Sequence, residues 1–518
     1  MHMKKDAMQM KLLRQRFFSR SLALPLLVGA ILFLFVLTSS RIRHAPFAHD
    51  NDLLDSSGDD GDDDDSLLSK KPPRPAMGPG ECAPEIEYLR QADIELSDNI
   101  IYSRRCVKPV FGNARRHAVT KVDDNLFLQR TAVDLSTCGY VDPIPCEELL
   151  LDVPYAYPDK KYSHLAFVIA SNYKRTNQSL PSIAHWLAGT GAKFVGVVVD
   201  AEKNGTSHNL TALEEEYRAW NVDATFVPPR LKKRIGADDD SDDEIPVEHH
   251  HFMMLRDILD VSTSETEWIG ILDDDTFFPS LYPLDEALAK MDSTKPWWAG
   301  ALSEDFGQVK TWGYMAFGGA GSFLSMPLAR EIEPWMEMCI AETSVDTGDG
   351  IMRDCIYAHS RTRLTLMDGL YQHDLTQDAS GFYESGVRPI TLHHWKSWYH
   401  EPITKMAAVS GLCGDCFLQR YQFAGNFLLA NGYSITHYPG GMDTLDLNRI
   451  EGTWPHNEHS FDFSLGKLRP KLDKNQKKSW KLKDSEVLDD GSFRQIYVFK
   501  GDKELDEIDE VMEFLWKS

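Results

Sequence analysis

The chain has 518 residues, eight cysteines and a formal net charge of −24. Its length excludes a small scaffold dependent on staples and leaves room for an anchor, a linker and one large or two ordinary domains. Its acidity excludes a general nucleic-acid binder, because phosphate backbones are gripped by basic surfaces.

Lys4, Lys5, Lys11, Arg14, Arg16 and Arg20 precede an almost wholly apolar, charge-free run from Leu22 to Leu37. The run predicts a transmembrane anchor over 22–38, at the short end of the roughly 17–25 residues that cross a bilayer. The basic flank places residues 1–21 in the cytosol, giving a single-pass type II protein with a signal-anchor. Thr38, Ser39 and Ser40 suit a cleaved signal peptide, the rival reading, but the charged lead and the apolar core are both long for one. Residues 39–81 carry the acidic stretch Asp50 to Asp65 and then Lys70, Lys71, Pro72, Pro73 and Pro75. Such a polar, proline-ended stretch cannot bury a core and reads as a disordered stem.

Everything beyond the anchor is then lumenal or extracellular. All eight cysteines lie there, Cys82, Cys106, Cys138, Cys146, Cys339, Cys355, Cys413 and Cys416, and an even count in an oxidising compartment predicts disulfides of open pairing. Asn177, Asn204 and Asn209 begin glycosylation sequons that agree with that side of the membrane. Cys413-Gly-Asp-Cys416 reads as a redox dithiol, half a zinc site or a structural disulfide. The last is preferred, since no second such motif completes a tetrahedral set.

Residues 82–160 form a cysteine-containing, β-containing lead-in. From 164 strands and helices alternate: strand Leu165 to Ala170, helix Ser179 to Leu187, strand Lys193 to Val199, helix Leu210 to Trp220, strand Ala224 to Val227 and helix Val247 to Leu259. This order predicts an α/β domain with a mostly parallel sheet flanked by helices, whose ligands bind beyond the C-terminal strand ends. Ser171 and Asp200 lie at two such ends, and Asp200 is placed by that topology against a ribose or base. The insert with Lys232 to Arg234 and Asp238 to Asp240 reads as a surface loop. His249, His250 and His251 read as a partly exposed helix start, because adjacent helical residues point in different directions.

Next comes the run Trp268 to Leu272, followed by Asp273, Asp274 and Asp275 and then Thr276, Phe277 and Phe278. The other aspartate runs, 62–65 and 238–240, lie among polar residues; only this one ends a predicted buried strand. Carboxylates crowded at such an edge repel unless a cation joins them, and Mn²⁺ or Mg²⁺ shared with the phosphates of a nucleotide is the simplest solution. Phe317 to Ser325 is a glycine-rich turn in an apolar frame, in which Gly319 and Gly321 allow close backbone approach to a ligand, unless the segment is only a tight turn. Asp346 and Asp349 lie in an acidic turn, and His393, His394 and Trp395 follow the strand-like Val387 to Leu392. A carboxylate can take a proton from a hydroxyl and an imidazole can ligate a metal; singly, each residue reads as well as a solvated acid or a packed histidine. Trp312, Trp395 and Trp398 are suited to stacking on sugar faces or to core packing. Residues 440–518 form an accessory α+β segment, with a hairpin around Asp489-Asp490-Gly491 and a helix from Leu505 to Trp516.

In combination, the alternating α/β pattern, the aspartate triplet, Gly318-Gly-Ala-Gly321, the acidic turn and the His-His-Trp segment resemble the Fringe-like β-1,3-glycosyltransferases of the GT-A fold. The match runs from about residue 164 to about 400 within a domain spanning 161–439. Leu392 to Trp398 and the Cys413 to Cys416 segment look most like fungal members of that group. The resemblance implies a UDP-sugar donor, a glycan, glycoprotein or glycolipid acceptor, and Mn²⁺ (or Mg²⁺) held by Asp273 and Asp275 with His394, His393 in reserve. It implies Asp274, Gly319 and Gly321 at the nucleotide-sugar, Asp349 as catalytic base with Asp346 in reserve, inversion at the sugar carbon, and a Golgi membrane protein, alone or as a homodimer. Arg353 stands where the family's acidic turn continues to a glycine. Two rival readings are a metal-dependent hydrolase or phosphotransferase, and a non-catalytic glycan-binding ectodomain on the same scaffold.

Overall fold

The segment Leu165–Ser171 (β1) is buried at every position, and its side chains divide between two cores. Leu165, Phe167 and Ile169 face one, and Ala166, Val168 and Ala170 face the other, as the two-residue period of a strand requires. A strand buried on both faces belongs inside a helix-covered sheet. The computed structural model describes residues 82–517 apart from 113–115, 139–143, 204–205, 236–243 and 346. The anchor, the stem, the Asp238 to Asp240 run, the Asn204 sequon and Asp346 lie outside the described residues. Among the described residues, no helix is long and apolar enough to cross a membrane.

Around β1 the sheet is completed by Lys193–Val198 (β2), Ala224–Val227 (β3), Trp268–Ile271 (β4), Trp298–Gly300 (β5), Ser322–Ser325 (β6) and Leu364–Leu366 (β7). Their spatial order is β7-β5-β6-β4-β1-β2-β3. Only β6 runs antiparallel to its neighbours, so β1, β4 and β5 all end at one edge. This is the α/β architecture expected, a mostly parallel sheet flanked by helices.

Helices cover both faces. Tyr173–Gln178 (α1) is capped by Asn172, whose side chain accepts from Arg175 N, and it leads into Leu180–Leu187 (α2), which buries Leu180, Ile183, Trp186 and Leu187. Leu210–Ala219 (α3) is capped by Asn209. On the opposite face lies Val247–Val261 (α4), burying Phe252, Leu255, Ile258 and Leu259. Three further helices complete the parts used below: Phe306–Trp312 (α5), Met336–Glu342 (α6) and Gly348–His359 (α7).

A second, ten-stranded sheet draws on residues from all three segments 82–160, 161–439 and 440–518. The strand Asn99–Gly112 runs parallel to Asp509–Trp516, which pairs antiparallel with Phe493–Phe499. The hairpin expected around Asp489 to Gly491 is present between Lys478–Val487 and Phe493–Phe499. The helix expected over Leu505 to Trp516 is not; Asp509–Trp516 is strand. Its side chains are buried on both faces, with Met512, Phe514 and Trp516 in one core and Val511 in another. A continuous apolar run of that kind fits either period, and strand pairing decides.

All eight cysteines are paired, as Cys82–Cys138, Cys106–Cys146, Cys339–Cys355 and Cys413–Cys416. The last is a local, fully buried disulfide, in agreement with its preferred structural reading. Cys339–Cys355 ties α6 to α7, the helix whose first turn carries Asp349.

Candidate functional site

Asp273, Asp274 and Asp275 follow β4 at the edge where β1 also ends, and their side chains take different directions. Asp274 turns inward. Arg175 of α1 grips it with two hydrogen bonds, Nε to Oδ2 at 2.7 Å and Nη2 to Oδ1 at 2.6 Å, and Ser171 Oγ donates to the same carboxylate. Lys396 Nζ lies 3.4 Å from Oδ1 and also donates to Asp274 O at 3.2 Å. A bidentate guanidinium clamp with a second cation leaves the middle carboxylate occupied within the protein. Ser171 stands at its expected strand end and serves that clamp.

The outer two aspartates converge on the histidines. Asp275 is 3% exposed; its Oδ1 lies 2.8 Å from His393 Nε2 and its Oδ2 accepts from Ser397 Oγ at 2.9 Å. Asp273 Oδ2 lies 3.4 Å from the same His393 Nε2. His394 is backed by Trp398, stacked with centroids 3.6 Å apart, and its Nε2 faces Asp374 Oδ1 at 3.4 Å. Ligand atoms of Asp275, His393 and His394 all lie within 4.8 Å of one another.

In an extended strand, successive side chains point to opposite faces, so His393 and His394 should diverge. His394 has φ +55°, the left-handed conformation uncommon outside glycine, and this breaks the alternation. Both imidazoles then turn toward Asp275, with their centroids 3.8 Å apart.

The glycine-rich turn frames these groups. A Cβ on Gly318 would stand 2.6 Å from Asp349 Oδ1, and one on Gly319 would stand 2.2 Å from the His393 ring. Gly318 N donates to Asp349 Oδ2 at 2.8 Å, and Gly319 O accepts from Thr276 Oγ1 at 3.0 Å. Gly321 takes φ +94° at the entry to β6. Bare backbone at 318 and 319 therefore lets Asp349 close on one side of the turn and His393 on the other.

Thr347 caps α7 by accepting from Gly350 N, which puts Asp349 in the first helical turn. The helix dipole favours a carboxylate there by about 0.3–1 kcal/mol. Burial acts the opposite way and more strongly; the Asp273 charge adds to it and His251 opposes it, so the Asp349 carboxyl is pushed up to about 6. His393 shows the reverse balance. Burial disfavours its charge, but Asp275, Asp273 and Asp374 together lift it to about 10, and the imidazolium in turn holds Asp275 well below the usual carboxylate range. His394 is lowered by burial and by the charge of His393.

This donor set fits a divalent cation. Two carboxylates and two imidazoles suit Mn²⁺ better than the harder Mg²⁺. Asp273, Asp275, His393 and His394 would hold the ion.

Some site residues were not anticipated. His251 projects from α4 to place Nε2 3.0 Å from Asp273 Oδ1, so one member of the histidine row faces the site instead of marking a helix start. Asp273 and Asp349 raise its basicity against the cost of burial. Its spacing to Leu255 and Ile258, one and two turns along the apolar stripe, was the available signal. Asp374 and Glu304 lie in segments without periodicity. Asp374 accepts from Ser303 Oγ at 2.5 Å, and Glu304 Oε2 accepts from His373 N at 2.8 Å and Asp374 N at 3.2 Å. Glu304 thus holds the chain beneath His394.

Burial, helped by the Asp374 charge, pushes the Glu304 carboxyl up to about 8. A carboxyl raised on folding stabilises the fold least where the unfolded chain would be ionised, so stability drains away as pH rises from about 4.5 to about 8. Glu304→Gln keeps the acceptor and removes the charge. It is expected to melt higher than the parent at pH 8 and equally at pH 4.5 in paired thermal melts.

At the neighbouring strand end, Asp200 Oδ1 accepts from Tyr173 N at 2.7 Å, and the Tyr173 ring stacks on His208 with centroids 4.3 Å apart. Of the three tryptophans, Trp398 backs His394, Trp395 packs edge-on against Phe277, and Trp312 donates to Gln308.

Residues 309–413 match a family described as "Protein of unknown function, DUF604". No curated protein matches the chain. Among solved structures, it is similar to mouse xyloside xylosyltransferase 1 in its apo form, at 12% identity and TM-score 0.26 over 40% of this chain and 84% of that one. It is similar to the glycosyltransferase GlyE of Streptococcus pneumoniae TIGR4, at 14% identity and TM-score 0.28 over 49% and 61%. It is also similar to 4-diphosphocytidyl-2C-methyl-D-erythritol synthase of Anaerococcus prevotii, at 10% identity and TM-score 0.25 over 40% and 89%. Likenesses this distant carry no functional argument, which stays with the geometry of the site.

Proposed function

We propose that the chain is a metal-dependent, inverting glycosyltransferase that moves a sugar from a UDP-sugar to a glycan hydroxyl, forming a β-1,3 linkage in the Golgi lumen. One observation carries the reading: Asp273, Asp275, His393 and His394 converge at the C-terminal strand edge, with Asp349 across the Gly318-Gly319 turn. That edge is where ligands of such sheets bind.

A bound Mn²⁺ would supply positive charge to the leaving diphosphate. The protein's own residues do the rest. Arg175 and Lys396 fix Asp274 and with it the backbone of the triplet, so that its outer carboxylates keep their aim. Tyr173, His208 and Asp200 offer an aromatic face and a carboxylate at the end of β2, suited to the nucleoside. Asp349, partly buried and raised to about 6, is placed to take the proton of the acceptor hydroxyl as it attacks. Attack from the side opposite the diphosphate inverts the sugar carbon. The Golgi location rests on the anchor reading of residues 22–38 and on the four disulfides, which suit an oxidising compartment.

The test is a panel of UDP-sugars incubated with the purified protein and Mn²⁺, monitored by NMR for release of UDP. One donor is expected to turn over, the activity vanishing on chelation and returning with Mn²⁺. A panel with no turnover would overturn the catalytic reading.

A further inference from the structure

Close to this site two large aromatic side chains stand in water. Phe306, the first residue of α5, is 54% exposed and Phe463 is 50% exposed, and their rings meet edge to face with centroids 5.9 Å apart. They come from segments more than 150 residues apart, yet both backbones are fixed. Phe306 N donates to Ser460 O at 2.9 Å, Ser464 Oγ donates to Glu304 O at 2.7 Å, and Asp305 caps α5 by accepting from Gly307 N at 2.8 Å. Two residues before Phe463, Phe461 is buried edge-on against Trp454 at 5.3 Å. A side chain presented by a backbone this constrained loses little freedom when a ligand covers it.

The pair is continuous with the metal-ligand cluster. Residues 301–306 leave the C-terminal end of β5, the edge that carries the aspartate triplet. Ser303 bonds Asp374, and Asp374 faces His394. Phe306 stands three positions beyond Ser303, so their Cα atoms lie at most about 11 Å apart.

The rim decides what could lie there. Asp305 directly precedes Phe306 and Asp462 directly precedes Phe463 in the chain, and His459 bridges Glu458 at 3.3 Å and Asp462 at 2.6 Å, while Lys310 is the cation of α5. An acidic rim repels phosphorylated or sulfated chains, and two rings are too small a surface for a lipid or for the apolar core of a protein interface. An aromatic face edged by hydrogen-bonding groups matches a pyranose, which presents C–H bonds on one face and hydroxyls around its edge.

We infer that Phe306 and Phe463 form a platform on which a neutral oligosaccharide acceptor lies, its reacting end directed toward Asp349. This rests on the glycosyltransferase reading of the neighbouring site. Phe306→Ala and Phe463→Ala remove exposed rings and leave the fold intact.

The full chain and both variants are titrated with laminaritetraose, cellotetraose and chitotetraose by saturation-transfer NMR, with Mn²⁺-dependent UDP binding followed in parallel. At least one tetrasaccharide is expected to bind the parent, and each variant to weaken it by about tenfold. UDP binding should not change. No binding of any of the three, or binding that neither substitution alters, would overturn the platform. Ring-dependent saccharide binding without UDP binding would support the platform and remove the transferase reading. UDP binding with ring-independent saccharide affinity would do the opposite.

Discussion

Asp275→Asn is expected to abolish metal-dependent UDP binding and turnover while leaving the fold in place. Asparagine has the same shape and keeps an acceptor for Ser397 Oγ, which bonds Asp275 Oδ2 at 2.9 Å. It removes the buried negative charge that stands 2.8 Å from His393. Loss of a group that merely orients a metal ligand typically costs about 10–100-fold in affinity, so loss of a ligand should exceed about 100-fold. His393 would still face Asp273 and Asp374, which limits the stability cost of breaking a buried pair. Calorimetry with Mn²⁺ and UDP, beside a thermal melt, separates the two effects. A variant that melts normally and binds UDP as the parent does would remove Asp275 from the ligand set.

Asp349→Asn is expected to separate binding from chemistry. The amide oxygen can still accept from Gly318 N, now 2.8 Å from the carboxylate, so the turn keeps its contact. The proton acceptor is gone. Turnover should fall by about 10²–10⁴ with Mn²⁺ and UDP affinity unchanged, the range typical for loss of a general base. Burial has pushed the carboxyl up to about 6, and activity requires its ionised form. Activity is therefore lost as pH falls through that value. A bound cation favours the ionised form and moves the acid limb lower, so the parent's limb lies at or below about pH 6. The asparagine variant should lack that limb. Equal turnover in parent and variant would transfer the base role elsewhere.

The alternation of strands and helices around β1 and the aspartates at the end of β4 were legible because each depends on a local pattern: an apolar run, a period and a charged edge. The pairing of Gly318 with Asp349 and of Gly319 with His393 was visible only as composition, since the close approaches that require glycine join residues far apart in the chain. His251 was missed for a related reason. A row of three histidines does not show which one a helix will aim inward, and the answer came from its alignment with Leu255 and Ile258. Adjacent His393 and His394 reach one point only through the left-handed backbone at 394, which no periodicity announces. Trp516 and its neighbours were read with a helical period because burial on both faces hides the two-residue alternation of a strand. Asp374 and Glu304 act through backbone and side-chain contacts across the chain and leave no sequence signal.

The proposed transfer requires that Asp273, Asp275, His393 and His394 hold a cation that in turn holds a nucleoside diphosphate. Calorimetric titration of UDP into the protein, with Mn²⁺ and again after chelation, addresses it directly. Binding with Mn²⁺ that disappears on chelation and returns on adding the metal back is the predicted result; UDP binding indifferent to the metal, or absent under both conditions, would contradict it.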